Sequence, residues 1–340
     1  MRTLGSSINR FFEAHLFACL LAGSTVGWLL DNLLAQGRFL VPGMFAFMTF
    51  VASLRCSWSD VRRVLAHPGP LLVTLLLLHL AVPLLVKLAA RFVPPASPEI
   101  LAGFILVGAV PIGVTSAIWT GLAGGDVPLA LTAATLDTML SPLVTPAVIS
   151  LFLGLEVQID LWGLQLALLQ MLVIPAAIGL TVRDMSGGAA HERAAPFLGP
   201  PAHAMLVAVI AINVATVRGA LEARSVDLGW WVLGAFLLVA ADYLLGLAVP
   251  RGLGYPPPVA TALAYSVGIR NLSAGLVIAM AHFPPATGIP VVLSMLFQQP
   301  LAALLRHWLQ PRTARPTETP DFPLSPPTPD QAATNEARTP

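Results

Sequence analysis

The chain is poor in charge. Only 10% of its 340 residues are Asp, Glu, Lys or Arg, against roughly 25% in an ordinary soluble domain, so it cannot build a water-facing surface of the usual kind. Cysteine is nearly absent as well. Cys19 and Cys56 are the only two and share no CxxC or Cys/His ligand spacing, which removes disulfide frameworks and zinc sites and leaves two packed thiols. Sustained apolar/polar alternation over about ten residues is missing, and an outer-membrane barrel would need it. No GxSG, no HExxH and no convincing paired catalytic acids occur, so no enzyme chemistry is visible and no cofactor is expected. The eighteen Lys and Arg are dispersed around a net charge of +1, which gives nucleic-acid binding no support.

What fills the chain instead is apolar sequence, 56% of all residues. A helix needs roughly 20 mainly apolar residues to span a bilayer. Such runs are read at 13–33, 39–54, 69–92, 100–122, 127–153, 161–182, 202–220, 228–250, 257–281 and 287–309. The expected fold is therefore an all-α integral membrane protein with ten transmembrane helices. Arg2 and Arg10 precede an apolar run, but no small-residue cleavage site follows Leu16–Trp28, so that run is read as the first span. With the amino terminus in the cytoplasm, eleven Lys/Arg at or near the span ends fall inside, among them Arg55, Arg62, Arg183 and Arg312, and five fall outside. The positive-inside bias then puts both termini in the cytoplasm, with Gly187 inside and Glu156 external. Residues 311–340 are rich in Pro, Thr and Asp and read as a disordered cytoplasmic tail.

Arg183 to Pro201 is the longest internal connection. It holds Gly187, Gly188, Pro196, Pro200 and Pro201 and divides the spans five and five, where a duplication seam would lie, with one repeat at about 1–182 and the other at about 202–310. The fourth and ninth spans are interrupted alike. Pro111, Gly113 and Val114-Thr115-Ser116 break the fourth, and Ser266-Val267-Gly268-Ile269-Arg270-Asn271 puts a glycine and a full charge into the ninth. Broken backbone at membrane depth is tolerated only against protein or a watery cavity, and a matched pair of breaks in two halves points to a transporter site.

At these residues the chain resembles the bile acid:sodium symporters. Val107-Gly108-Ala109-Val110-Pro111-Ile112-Gly113-Val114-Thr115-Ser116-Ala117 is similar to the family's VGCCPGGTASN, and Leu122-Ala123-Gly124-Gly125-Asp126-Val127-Pro128-Leu129 to its LARGNVAL. Ser141-Pro142-Leu143-Val144-Thr145-Pro146 resembles SPLLTP, Ser266 to Asn271 resembles EVGMQN, and Asp60 to Pro68 resembles DFRRVLRHP. The likeness covers about residues 10–310. It implies a transmembrane transporter domain at 1–310 made of two inverted five-helix repeats, with a core of spans 3–5 and 8–10 and a panel of spans 1, 2, 6 and 7. It further implies crossing of the broken spans 4 and 9 and carriage of a small organic, anionic solute between core and panel by alternating access. The expected setting is the bacterial inner membrane. The sequence sets neither the substrate nor the oligomeric state.

The departures matter as much. The family's sodium-ligand positions in spans 3, 4, 5 and 9 fall on Leu78, Ala117, Ala130, Ala134, Ser266 and Arg270, and only Ser116 survives. Sodium wants several oxygen ligands, so sodium coupling is doubted and transport is expected to be proton-coupled or sodium-independent. Arg270 is too costly at mid-membrane to stand alone. Asp137 and Asp242 are its candidate partners, and Asp137 is the expected one because span 5 lies beside span 9 in the implied core. That pair could be a static lock or could open toward substrate or a proton. Thr135, two residues before Asp137 on the same span, is a further candidate for the substrate region. His79 in span 3 could relay protons, though a neighbouring carbonyl is the commoner partner of a lone His. Asn213 and His203 in span 7 could line the panel side or bond across helices. Trp119, Trp162, Trp230 and Trp231 read as interface anchors. Two rival readings stay open, a related efflux permease of the arsenite or auxin-carrier kind and a non-transporting membrane receptor derived from a carrier.

Overall fold

A computed structural model describes residues 5, 7–9, 11–12, 15–59, 61–62, 68–92, 97–154, 160–222 and 228–309. Glu156, Arg312 and the whole tail 311–340 lie outside the described residues. So do the first two residues of the expected first span and parts of the DFRRVLRHP-like stretch.

The described chain is helical throughout: α1 (Leu16–Leu29), α2 (Val41–Ser53), α3 (Gly69–Phe92), α4 (Pro98–Ala109), α5 (Thr115–Leu122), α6 (Val127–Leu153), α7 (Leu161–Met185), α8 (Ala189–Glu222), α9 (Leu228–Gly252), α10 (Pro257–Gly268), α11 (Leu272–His282) and α12 (Gly288–Leu309). A short helix at Asp31–Leu34 and a 3-10 turn at Ala35–Leu40 join α1 to α2. Among the described residues seven segments are long and apolar enough to cross a membrane, one of them Asp31–Ser53, where the short helix and turn run into α2, while α4 and α11 are apolar but only 12 and 11 residues long. The expected fourth and ninth spans are therefore each two half-helices, α4 with α5 and α10 with α11. Leu143, Leu151, Trp162 and Trp230 project outward as exposed large apolar side chains, a surface suited to lipid and costly in water.

Local chemistry sets these boundaries. Asp126 caps α6 by accepting from Leu129 N–H at 3.0 Å, Asp160 caps α7 by accepting from Gly163 N–H at 2.9 Å, and Asn271 caps α11 by accepting from Ala274 N–H at 3.2 Å. Helix α3 widens to a π-turn at Leu77–Ala81 and α7 does so at Leu169–Val173. Each π-turn lies just before a proline, Pro83 or Pro175, whose missing N–H frees a carbonyl one turn back.

The expected connection between Arg183 and Pro201 is not a loop. Helix α7 runs to Met185 and α8 starts at Ala189, so only Ser186, Gly187 and Gly188 turn the chain, with positive φ of 59° and 89° at the two glycines. Pro196, Pro200 and Pro201 sit inside α8, and the Asn9 side chain donates to Ala195 O at 3.0 Å in the stretch they weaken. Proline was a poor boundary signal here, since a membrane helix tolerates proline where its freed carbonyls can be satisfied locally.

Helix α8 packs on α1 and α2, and α2 packs on α7. The remaining helices pack mainly on one another, α9 on α10 and α12, α6 on α4, α5 and α10, and α3 on α4. The main apolar cluster reaches across both groups, from Phe45 and Leu172 to Ile105, Ile289 and Val291.

Candidate functional site

The two breaks meet. Gly113 N–H donates to Ile269 O at 2.8 Å and Asn271 N–H donates to Pro111 O at 2.7 Å, a two-bond antiparallel bridge pairing Ile112 with Arg270. Each bridge residue then gives its own N–H to a side chain of a long helix: Ile112 to Asp137 Oδ2 of α6 at 2.8 Å, and Arg270 to Gln298 Oε1 of α12 at 2.9 Å. The four bonds are related by a local two-fold that exchanges Pro111 with Ile269, Gly113 with Asn271 and Asp137 with Gln298. The N–H groups of Ile112, Gly113, Arg270 and Asn271 thus all have acceptors, at a depth where a bare donor would be costly.

Glycine is required here by space. A Cβ on Gly113 would crowd Arg270 O, and one on Gly268 would overlap the Tyr243 ring. Tyr243 is buried and donates its hydroxyl to Gln298 O at 2.8 Å, so displacing it disturbs the glutamine that holds Arg270. Gly268→Ala is expected to cost about 1–3 kcal/mol or more by overpacking. Gly43→Ala, where an added methyl meets nothing within 4 Å, should be neutral or stabilising. Unfolding midpoints of the two variants in one detergent check this; equal midpoints would remove the overlap.

Arg270 is 2% exposed, and the expected partner is corrected. Its Nε lies 3.4 Å from Oδ2 of Asp242 on α9, itself 1% exposed, as an ion pair without hydrogen-bond alignment. The guanidinium also donates to Gly108 O at 3.2 Å and to Leu78 O at 3.4 Å. Asp137 is instead engaged by His79, Nε2 to Oδ1 at 2.7 Å, and by Ile112 N–H. His79, expected to find a carbonyl, thus finds a carboxylate, and its Nδ1 has no partner among the described residues.

Beside the crossing lies a cavity of about 230 Å³. Phe45 to Ser53 of α2, Leu172 and Ala176 of α7 and Leu206 and Ile210 of α8 wall one side; α6, α12 and the two breaks wall the other. Of the residues singled out from sequence it brings together Gly113, Thr115, Thr135, Arg270 and Asn271. Pro111 serves the bridge through its carbonyl, and Ser116 and Ser266 are buried away from the cavity, Ser116 Oγ with no partner among the described residues. His79, Asp137, Gly268 and Asn213 also do not line it. Asp137 faces away because the cavity face of α6 is Leu131, Ala134, Thr135 and Thr138, the i, i+3, i+4, i+7 stripe. Of the tryptophans, Trp162 and Trp230 are exposed, but Trp231 is buried and Trp119 donates to Gln299 Oε1 at 2.7 Å.

The family model for the sodium bile acid symporter family matches residues 41–224, more than half of the chain. A Bacillus subtilis protein, YbaS, is 33% identical over 84% of this chain and 93% of its own length. The chain belongs to the sodium bile acid symporter family. YocS of Bacillus subtilis, named as a sodium-dependent transporter, is 28% identical over 79% of this chain and 85% of its own. A chloroplastic sodium/metabolite cotransporter of Arabidopsis thaliana, BASS1, is 26% identical over 89% of this chain and 74% of its own. As a member of this symporter family the chain is a multi-pass membrane protein of transporter type.

Gln298 and Gln299 are the residues that sequence reading missed in this family member. Their signal was present: two adjacent amides before Pro300 within the apolar run 287–309, where a polar side chain needs an internal partner.

Proposed function

We propose that this protein is a secondary carrier of a small organic anion that works by alternating access. In this reading α4 with α5 and α10 with α11 are single broken spans, which makes ten spans in two inverted five-helix repeats. The local two-fold through the crossing supports that arrangement, since a duplication with inverted topology generates such a relation. Helices α3–α6 and α9–α12 are then the core and α1, α2, α7 and α8 the panel. The positive-inside bias favours cytoplasmic termini in the bacterial inner membrane.

The observation that carries the proposal is the cavity between the two helix groups. Its lining residues include hydroxyls and amides but no carboxylate. The first residues of α5 and α11 line it, Thr115 with Gly113 before it and Leu272 and Ser273 after Asn271. Helix N-termini present unsatisfied N–H groups and positive dipole ends, a favourable setting for a carboxylate. With those helix ends and no carboxylate in the lining, an anion is preferred over a cation.

Coupling to sodium is replaced, in this proposal, by proton coupling or by none. The names of YocS and BASS1 state sodium for those proteins; here the carried-over ligand positions are Leu78, Ala117, Ala130, Ala134, Ser266 and Arg270.

The experiment is solute counterflow. Vesicles containing the reconstituted protein and preloaded with one organic acid from a panel should draw in labelled acid against its gradient. Binding measured by ligand-induced stabilisation without any counterflow would favour the receptor reading and overturn this one.

A further inference from the structure

We propose that His79 and Asp137 together form a proton-binding site, and that its charge state is read by the helix crossing through the Ile112 amide. The inference rests on the carrier reading for its purpose but not for its test.

The buried charge at the crossing does not balance without a proton. Among the described residues the buried formally ionisable acids and bases near the crossing are Arg270, Asp242, Asp137 and His79, exposed by 2%, 1%, 0% and 8%. One guanidinium faces two carboxylates, so with a neutral imidazole the group carries one net negative charge. An uncompensated buried carboxylate is costly, and such a group gains a counter-charge or a proton. Arg270 is committed to Asp242 and to the carbonyls of Gly108 and Leu78. His79 is the base in contact with Asp137, at 2.7 Å. One proton on this pair, as imidazolium beside carboxylate, brings the group to neutrality.

Other titratable groups on the packed elements do not replace it. Tyr243 of α9 and Tyr265 of α10 are phenols bonded to Gln298 O and Ala302 O, and Cys56 is a thiol in the apolar cluster with Leu78 and Ile112. Lys87 lies two turns beyond His79 toward the end of α3, Arg91, Glu99 and Arg251 sit in terminal turns of α3, α4 and α9, and Asp126 and Asp160 cap α6 and α7.

The location makes the proton consequential. Asp137 Oδ2 takes the Ile112 N–H, and Ile112 is the bridge partner of Arg270. The pair lies behind the α6 face that lines the cavity, and its His79 sits in the π-turn of α3, a feature frequent at functional sites. A proton held on this pair beside a monovalent anion in the cavity adds +1 to −1, so the two carried together would move no net charge across the membrane.

Full-length protein labelled with 15N-histidine and 15N-isoleucine in micelles tests the site without any solute. The His79 ring signal, assigned by its loss in His79→Gln, should pass between neutral and doubly protonated forms within the pH range over which the protein stays folded. The Ile112 amide signal should move with the same midpoint. Asp137→Asn keeps the size of the side chain but not its charge and should weaken proton binding by about tenfold or more; it also supplies the assignment if His79→Gln does not fold. A His79 ring in one form across that range, or an Ile112 amide indifferent to its titration, would overturn the proposal. A titrating His79 in a protein that gives no counterflow would sink the carrier reading and leave the proton site standing.

Discussion

Arg270→Gln is expected to lower the stability of the folded protein by about 3–5 kcal/mol, the usual result of removing one partner from a buried ion pair. The partner left behind is Asp242, 1% exposed, whose Oδ1 already has no hydrogen-bond partner among the described residues. Glutamine carries no charge to offset that carboxylate, and its shorter side chain gives up the reach to Gly108 O and Leu78 O. Adding Asp242→Asn should recover much of the loss, because the stranded charge is gone and an amide of nearly the same size remains. Adding Asp137→Asn to Arg270→Gln should not, since Asp137 has its own partners in His79 and Ile112 N–H. Denaturant or thermal unfolding of the three variants in one detergent measures the difference. Recovery by the Asp137 change and not by the Asp242 change would reverse the pairing described here.

That pairing shows where sequence reading stops. The two helix breaks were legible because proline and glycine in an apolar run have a local physical meaning, and a charge beside one of them demanded a partner. The choice between Asp137 and Asp242 had no such local signal. Both lie in uninterrupted apolar runs, and only the rotation of α6 and α9 about their axes decides which carboxylate meets the guanidinium. The stripe Leu131, Ala134, Thr135 and Thr138 could have hinted that Asp137 faces another way, but nothing in the chain says which stripe of an all-apolar helix faces a cavity. His79 is a similar case. A lone imidazole in a helix has a default partner one turn back, and the carboxylate that displaces it comes from 58 positions away. Pro196, Pro200 and Pro201 misled in the opposite direction, since a proline cluster reads as a loop in water and was accommodated here within α8.

Gln298 completes the picture because it shows what the local two-fold asks of a residue rather than of a motif. Its place corresponds to that of Asp137, each accepting the N–H of one bridge residue. The second half of the chain satisfies the bridge with a neutral amide and brings its own charge on Arg270; the first half satisfies it with a carboxylate and brings apolar Ile112. The asymmetry of charge at the crossing is thus a difference between two equivalent positions in two halves. Letter-by-letter comparison of the halves could not have found this, since Asp and Gln align poorly and the two spacings, 25 and 28 residues, differ.

Solute binding is expected to persist, with undiminished affinity, when sodium is replaced by choline at constant ionic strength. Arg270 supplies a fixed cation, and the oxygens it engages are the Asp242 carboxylate and the carbonyls of Gly108 and Leu78, a set that could otherwise serve a metal ion. Leu78 is also the position onto which the family resemblance carries a span-3 ligand. A sodium ion at about 4 Å from the guanidinium would be repelled by roughly 4 kcal/mol at an effective dielectric of 20, close to a thousandfold in affinity. The remaining carried-over positions offer little in return, because Ala117 and Ala130 pack against Ala262 in an apolar cluster and Ala134 packs in another. The ligand-induced rise in unfolding midpoint for an acid active in counterflow measures the effect, since a ligand that binds only the folded state stabilises it in proportion to occupancy. A rise seen in sodium and lost in choline would mean that a sodium site exists beside the guanidinium, and the assignment of Arg270 as its replacement would fall.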